Sequence, residues 1–130
     1  MNARVRTTVM IAAGLLLLTG VLVYSAWLCD DAYITFRTIE NLVDGHGARW
    51  NVIERVQSYT HPLWMILLAG LRFMTGEIYF TSIVTSLVLS LATVLLLLRS
   101  TADRTRVAPL LLMALILSRS FADYSTSGLE

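Results

Sequence analysis

Apolar positions along the chain gather into four blocks separated by short polar stretches. Residues 9–28 carry no charge and, at about 1.5 Å per residue, would reach about 30 Å, the thickness of a bilayer's hydrocarbon core. Residues 78–98 are equally clean and long. Residues 107–122 are shorter, with Pro109 placed where a first helical turn tolerates it and Arg119 near the far end, where a long side chain reaches the headgroups. These three blocks predict transmembrane helices. The fourth, residues 62–75 (PLWMILLAGLRFMT), contains Arg72 and would extend only about 21 Å as a helix. Between the first and fourth blocks the pattern changes: Tyr33, Phe36, Ile39, Leu42 and Val43 recur at helical spacing until the turn residues 44–47 (DGHG) stop them.

Arginine placement sets the direction of the spans. Arg4 and Arg6 put the N-terminus in the cytoplasm, and Arg99, Arg104 and Arg106 against Asp103 make the turn after residue 98 cytoplasmic as well. Were residues 62–75 to cross, that basic turn would fall outside. They are therefore expected to form a juxtamembrane or re-entrant helix, capped by Thr60 or His61 and stopped by Gly76. Residues 29–77 then form one extracytoplasmic section, and residues 123–130 emerge on the same side. A cleaved signal peptide is disfavoured, because Tyr24 stands where cleavage before Trp27 would want a small residue. The expected fold is all-α and integral to the membrane, one partial domain over residues 1–130, multi-pass in the plasma membrane with its N-terminus in the cytoplasm.

Composition agrees with this picture. Hydrophobic residues make up 56% of the 130 positions, and the mean hydropathy is +0.68, too apolar for an ordinary soluble domain of this length. A net charge of +1 offers no concentrated basic surface for nucleic acid. The single cysteine, Cys29, can form neither an internal disulfide nor a cysteine metal cluster.

Candidate chemistry begins with Asp30 and Asp31, side by side where the first span ends and the amphipathic stretch starts. A helix N-terminus favours a carboxylate, but a cap needs only one. The second is free for other work. Along the chain follow GHGxxWN at 45–51, ERVQSYTHPLW at 54–64 and DYSTSGLE at 123–130. In that order, after DDAYITFR, these motifs resemble the start of a GT-C family membrane glycosyltransferase, and more narrowly the terminal arabinofuranosyltransferases of mycobacterial and corynebacterial cell walls.

The resemblance implies an inverting transfer of a sugar, arabinofuranose, from a polyprenyl-phosphate donor to a cell-wall glycan acceptor on the outer face of the membrane. Such a reaction needs a carboxylate to take the proton of the attacking hydroxyl, and Asp30 is the expected base. Asp31 is its partner, either orienting the site or holding a divalent cation. Glu130 falls in the family's second acidic motif, as a substrate-binding residue and, with Asp31, as a candidate cation ligand. His61 and Arg119 are placed to meet the leaving phosphate, although Arg119 is equally suited to an ion pair with Asp123 and His61 to a helix cap. Tyr59, with Tyr33, Trp50 and Trp64, offers an aromatic face to a sugar or an anchor at the membrane interface.

The motif containing Glu130 is cut at its last residue, so the chain is expected to be the N-terminal fragment of a longer enzyme. The rival expectation is a non-catalytic small membrane protein, a remnant or interaction partner built on the same scaffold. Topology is open to direct test. With Cys29 replaced by serine, cysteines introduced near Trp50 and Gly76 should react with impermeant reagents from outside, and one near Asp103 only from inside. An outward-facing Asp103 would overturn the re-entrant reading of residues 62–75.

Overall fold

The computed structural model describes residues 2–54, 56, 58–101 and 106–128. Six helices run in order: α1 (Ala3–Tyr24), α2 (Asp30–Val43), α3 (Pro62–Thr75), α4 (Tyr79–Ser100), α5 (Val107–Leu117) and α6 (Arg119–Tyr124). No strand occurs among the described residues. Two of the helices are long and apolar enough to cross a membrane, α1 over Val5–Tyr24 and α4 over Tyr79–Ser100. Only 11% and 22% of their apolar windows are buried, which separates them from the core helices of a soluble protein. Their threonines fold back onto the helix: Thr19 donates to the Leu15 carbonyl and Thr93 to that of Leu89. A hydroxyl satisfied within its own helix suits surroundings without water.

The chain divides into two compact units. The first holds α1, the later part of α4 from Leu87, α5 and α6. Its core is Leu18 and Leu22 of α1, Val94 and Leu98 of α4, Ala108 and Leu112 of α5, and Ala122 of α6. Gly14 lets α1 approach α5, since a Cβ there would lie 2.9 Å from Leu112 Cδ1. Residues 107–122, read from hydropathy as one span, carry two helices instead. α5 ends after 11 residues, about 16 Å, and Ser118 leaves helical geometry with ψ 100°. The Ser118 side chain then caps α6 by accepting from the Phe121 N–H, a local alternative to continuing the helix.

The second unit runs from Trp27 to Ser86 and takes in residues 126–128. α2 buries Ala32, Thr35, Phe36, Thr38 and Ile39; of the stripe expected from helical spacing, Phe36 and Ile39 are buried, whereas Tyr33 is exposed and Leu42 and Val43 are half-buried. Against it lie Trp64, Met65 and Leu68 of α3. Pro62 opens α3 and Gly76, at φ 76°, closes it in the left-handed conformation. A fork of two hydrogen bonds crosses between the helices, from Arg72 Nε and Nη2 to the two Glu40 oxygens at 2.8 and 3.0 Å. Glu77 caps α4, its carboxylate accepting from the Tyr79, Phe80 and Thr81 N–H groups.

The end of the first span is earlier than hydropathy suggests, because α1 stops at Tyr24. Beyond it the backbone is drawn out to meet the turn 126–128. Trp27 N–H donates to Thr126 Oγ1, and Cys29 N–H to the Ser127 carbonyl at 3.0 Å. Gly128 closes this contact at φ +85°, and a Cβ there would stand 2.8 Å from both Ala32 Cβ and Leu28 Cδ2. Gly128→Ala should therefore cost on the order of 2–4 kcal/mol in detergent micelles, from the left-handed backbone and the overlap together. Gly20→Ala, within α1 and with nothing inside 4 Å of the new methyl, should leave the melting temperature unchanged or slightly higher.

Candidate functional site

Asp30 and Asp31 form the first turn of α2, and the N-cap before them is Cys29, whose side chain makes no capping bond. Their charges sit where the helix dipole favours them. Both residues are exposed, and among the described residues neither carboxylate has a hydrogen bond or ion pair of its own. The pair is thus held by the backbone of α2 and left open to solvent.

Beside Asp31 lies a cavity of about 330 Å³. α2 supplies Asp31, Ile34 and Thr35 to its wall, and the segment leading into α3 supplies Ser58, Tyr59, Thr60 and His61. That segment is tied to α2 by a 2.7 Å hydrogen bond between the Ser58 and Thr38 hydroxyls. His61 is the N-cap of α3 but does not cap it through its side chain. Instead Nδ1 pairs with Thr60 Oγ1 at 2.6 Å, and Nε2 is buried without a partner.

The structure thus gathers three of the residues singled out from sequence, Asp31, Tyr59 and His61, around one cavity. Asp30 is next to it in the chain but not in its wall. Arg119 is elsewhere, in α6 of the first unit, where Nε lies 3.4 Å from Asp123 Oδ2 one helical turn on. That is the ion pair its spacing allowed. Glu130 lies outside the described residues. Two aromatic candidates have structural occupations. Trp64 is buried, its indole N–H donating to the Gly128 carbonyl at 3.0 Å, and the Trp50 ring is covered by the Arg37 guanidinium at 4.9 Å. Arg37 Nε and Asn41 Nδ2 also bind the Trp50 carbonyl, so the loop carrying His46 folds back along α2. Tyr33 is exposed and meets Phe36 edge to face.

Ser58, Thr60 and Thr35 were not expected at the site. Isolated hydroxyl residues carry no spacing signal; only their nearness to His61 and Asp31 in the chain hinted at them. Among the described residues no three His, Cys, Asp or Glu side chains are grouped to hold a metal ion. Of the two candidate cation ligands, Asp31 is in the cavity wall and Glu130 falls outside the described residues.

Two curated proteins share this sequence pattern. The terminal beta-(1->2)-arabinofuranosyltransferase of Mycobacterium tuberculosis is 30% identical over 115 residues, covering 80% of this chain and 18% of that protein. The protein of the same name from Corynebacterium glutamicum is 32% identical over 110 residues, covering 80% of this chain and 16% of its own length. The chain resembles these arabinofuranosyltransferases over most of its length. It spans less than a fifth of the relatives it matches. No family model matches, and no solved structure does.

The indole bond of Trp64 ties α3 to the turn and can be tested alone. Trp64→Phe keeps most of the apolar body but leaves the buried Gly128 carbonyl without its donor. It should lower stability by about 1–3 kcal/mol. A melting temperature equal to that of the parent chain would show that the bond contributes nothing.

Proposed function

We propose that this chain carries the acid site of a membrane glycosyltransferase that transfers arabinofuranose from a polyprenyl-phosphate donor to a cell-wall glycan on the outer face of the plasma membrane. The observation that carries this reading is the cavity joining Asp31 to Tyr59 and His61 in a chain similar to two arabinofuranosyltransferases. α1 and α4 are the spans, and residues 107–122 cross a third time as a helix broken at Ser118, in the arrangement expected of the N-terminal part of a GT-C enzyme.

Asp31 takes the proton-transfer role in this mechanism, because it is the acid in the cavity wall. Its carboxylate accepts the proton of the acceptor hydroxyl as that oxygen attacks the anomeric carbon. The bond from that carbon to the phosphate oxygen breaks, its electron pair leaves with the polyprenyl phosphate, and the configuration inverts. Asp30, one residue back at the helix start, flanks the base outside the cavity wall. A carboxylate within hydrogen-bond reach of the attacking hydroxyl is what such a step requires.

The test is a chimaera in which this chain replaces the matched stretch of the Corynebacterium glutamicum relative. Asp31→Asn should keep the fold and lower kcat by about 10²–10⁴-fold. Asp30→Asn should lower it less. The reverse order would return the base to Asp30. Normal turnover by both variants, with a stability loss of about 1 kcal/mol, the scale of a lost charge at a helix start, would make the acids structural.

A further inference from the structure

Thr38 is fully buried on α2. It does not line the cavity, yet its hydroxyl meets that of Ser58, which does. Asp31, Thr35 and Thr38 follow one another at spacings of four and three residues, so they share one face of the helix. We propose that Thr38 is a positioning residue: it takes up the hydrogen of the Ser58 hydroxyl, so that Ser58 presents only lone pairs to the substrate and accepts a hydrogen bond from the acceptor glycan. This rests on the transferase reading above.

The direction of the bond follows from the hydrogens available. A hydroxyl carries one hydrogen and two lone pairs, whereas a carbonyl oxygen only accepts. Thr38 Oγ1 donates to the Ile34 carbonyl at 3.0 Å, which uses its one hydrogen. The same oxygen lies 2.7 Å from Ser58 Oγ, an ordinary distance for two bonded hydroxyls. With Thr38 committed to Ile34, the hydrogen between the two oxygens comes from Ser58. Ser58 is then spent as a donor. Threonine suits this task, because a helical threonine readily turns its hydroxyl onto the carbonyl one turn back.

That direction matters to the step proposed above. The attacking oxygen gives its hydrogen to Asp31 and needs a lone pair for the anomeric carbon. A serine free to donate would compete for that lone pair and lower the nucleophilicity of the oxygen it met. A serine that only accepts leaves the attacking oxygen alone and instead receives the hydrogen of a second hydroxyl of the glycan. Asp31 and Ser58, from opposite walls of the cavity, then hold the acceptor through two hydrogens that the substrate supplies. Thr38 touches neither the substrate nor the reacting atoms and acts through Ser58.

Two measurements test this. In the whole chain in detergent micelles, NMR should find a slowly exchanging Ser58 hydroxyl proton with a nuclear Overhauser contact to the Thr38 methyl group. A Thr38 hydroxyl proton in contact with the Ser58 methylene would overturn the assignment. In the chimaera, Thr38→Val removes the oxygen at nearly constant shape, and KM for the glycan acceptor should rise about tenfold, the scale of one neutral hydrogen bond, with the donor's KM unchanged. Thr38→Ser retains the hydroxyl and should restore the parent's acceptor KM. Ser58→Ala should match Thr38→Val, and the double variant should be no worse than Ser58→Ala alone, because Thr38 acts only through Ser58. Equal rises in both KM values, or additive effects of the two substitutions, would make Thr38 a structural residue only. If Asp31→Asn lowered kcat while Thr38→Val left the acceptor KM unchanged, the transferase reading would stand and this one would fall.

Discussion

Two carbonyls of the turn 126–128 hold the start of α2 and the first turns of α3. Ser127 receives the Cys29 N–H, two residues before Asp31, and Gly128 receives the Trp64 indole, three residues after His61. The acid and the imidazole come from helices whose packed cores alone would fix their mutual tilt but not their register. Each is anchored within one helical turn of a turn carbonyl, so three residues near the other end of the sequence join the Thr38–Ser58 bond and the Arg72–Glu40 fork in setting the separation across the cavity mouth. Gly128 is what permits this. Any side chain there would enter the space of Leu28 and Ala32 and push the turn away from the helix it holds.

Much of this architecture was legible in the residue pattern because it follows from periodicity and punctuation. The stop of α2 at Asp44-Gly45 and the boundaries of α3 at Pro62 and Gly76 are local decisions made by side chains within a few residues of each other. Hydropathy marked α4 within two residues at either end. What it could not mark was the end of α1. The backbone after Tyr24 leaves the helix for partners about a hundred residues away, and a hydrogen bond of that separation has no trace in the hydrophobic pattern. The break at Ser118 was equally hidden: its side-chain cap competes with an apolar run that reads as continuous.

The site was legible in its acids and only partly in the rest. Asp31, Tyr59 and His61 stood out as residue types with chemistry, and the cavity unites them. Arg119 stood out for the same reason but belongs to an ion pair along α6, the outcome its four-residue spacing to Asp123 already allowed. Trp64 is the instructive case. A tryptophan near an apolar segment suggests the membrane interface or a sugar face, yet here it is a buried donor whose role depends on a distant carbonyl. Sequence gives the repertoire of a side chain, and long-range contacts choose among its uses.

Arg72 is the one charged residue of α3, and its guanidinium is forked into Glu40 on α2. That charge is balanced before it reaches the helix's outer surface, where Leu63, Ile66, Phe73 and Met74 are exposed. The outer surface of α3 is thus apolar and carries no unpaired ion. The same fork acts as a mooring, since α2 cannot part from α3 without leaving an arginine and a glutamate each without its counter-charge.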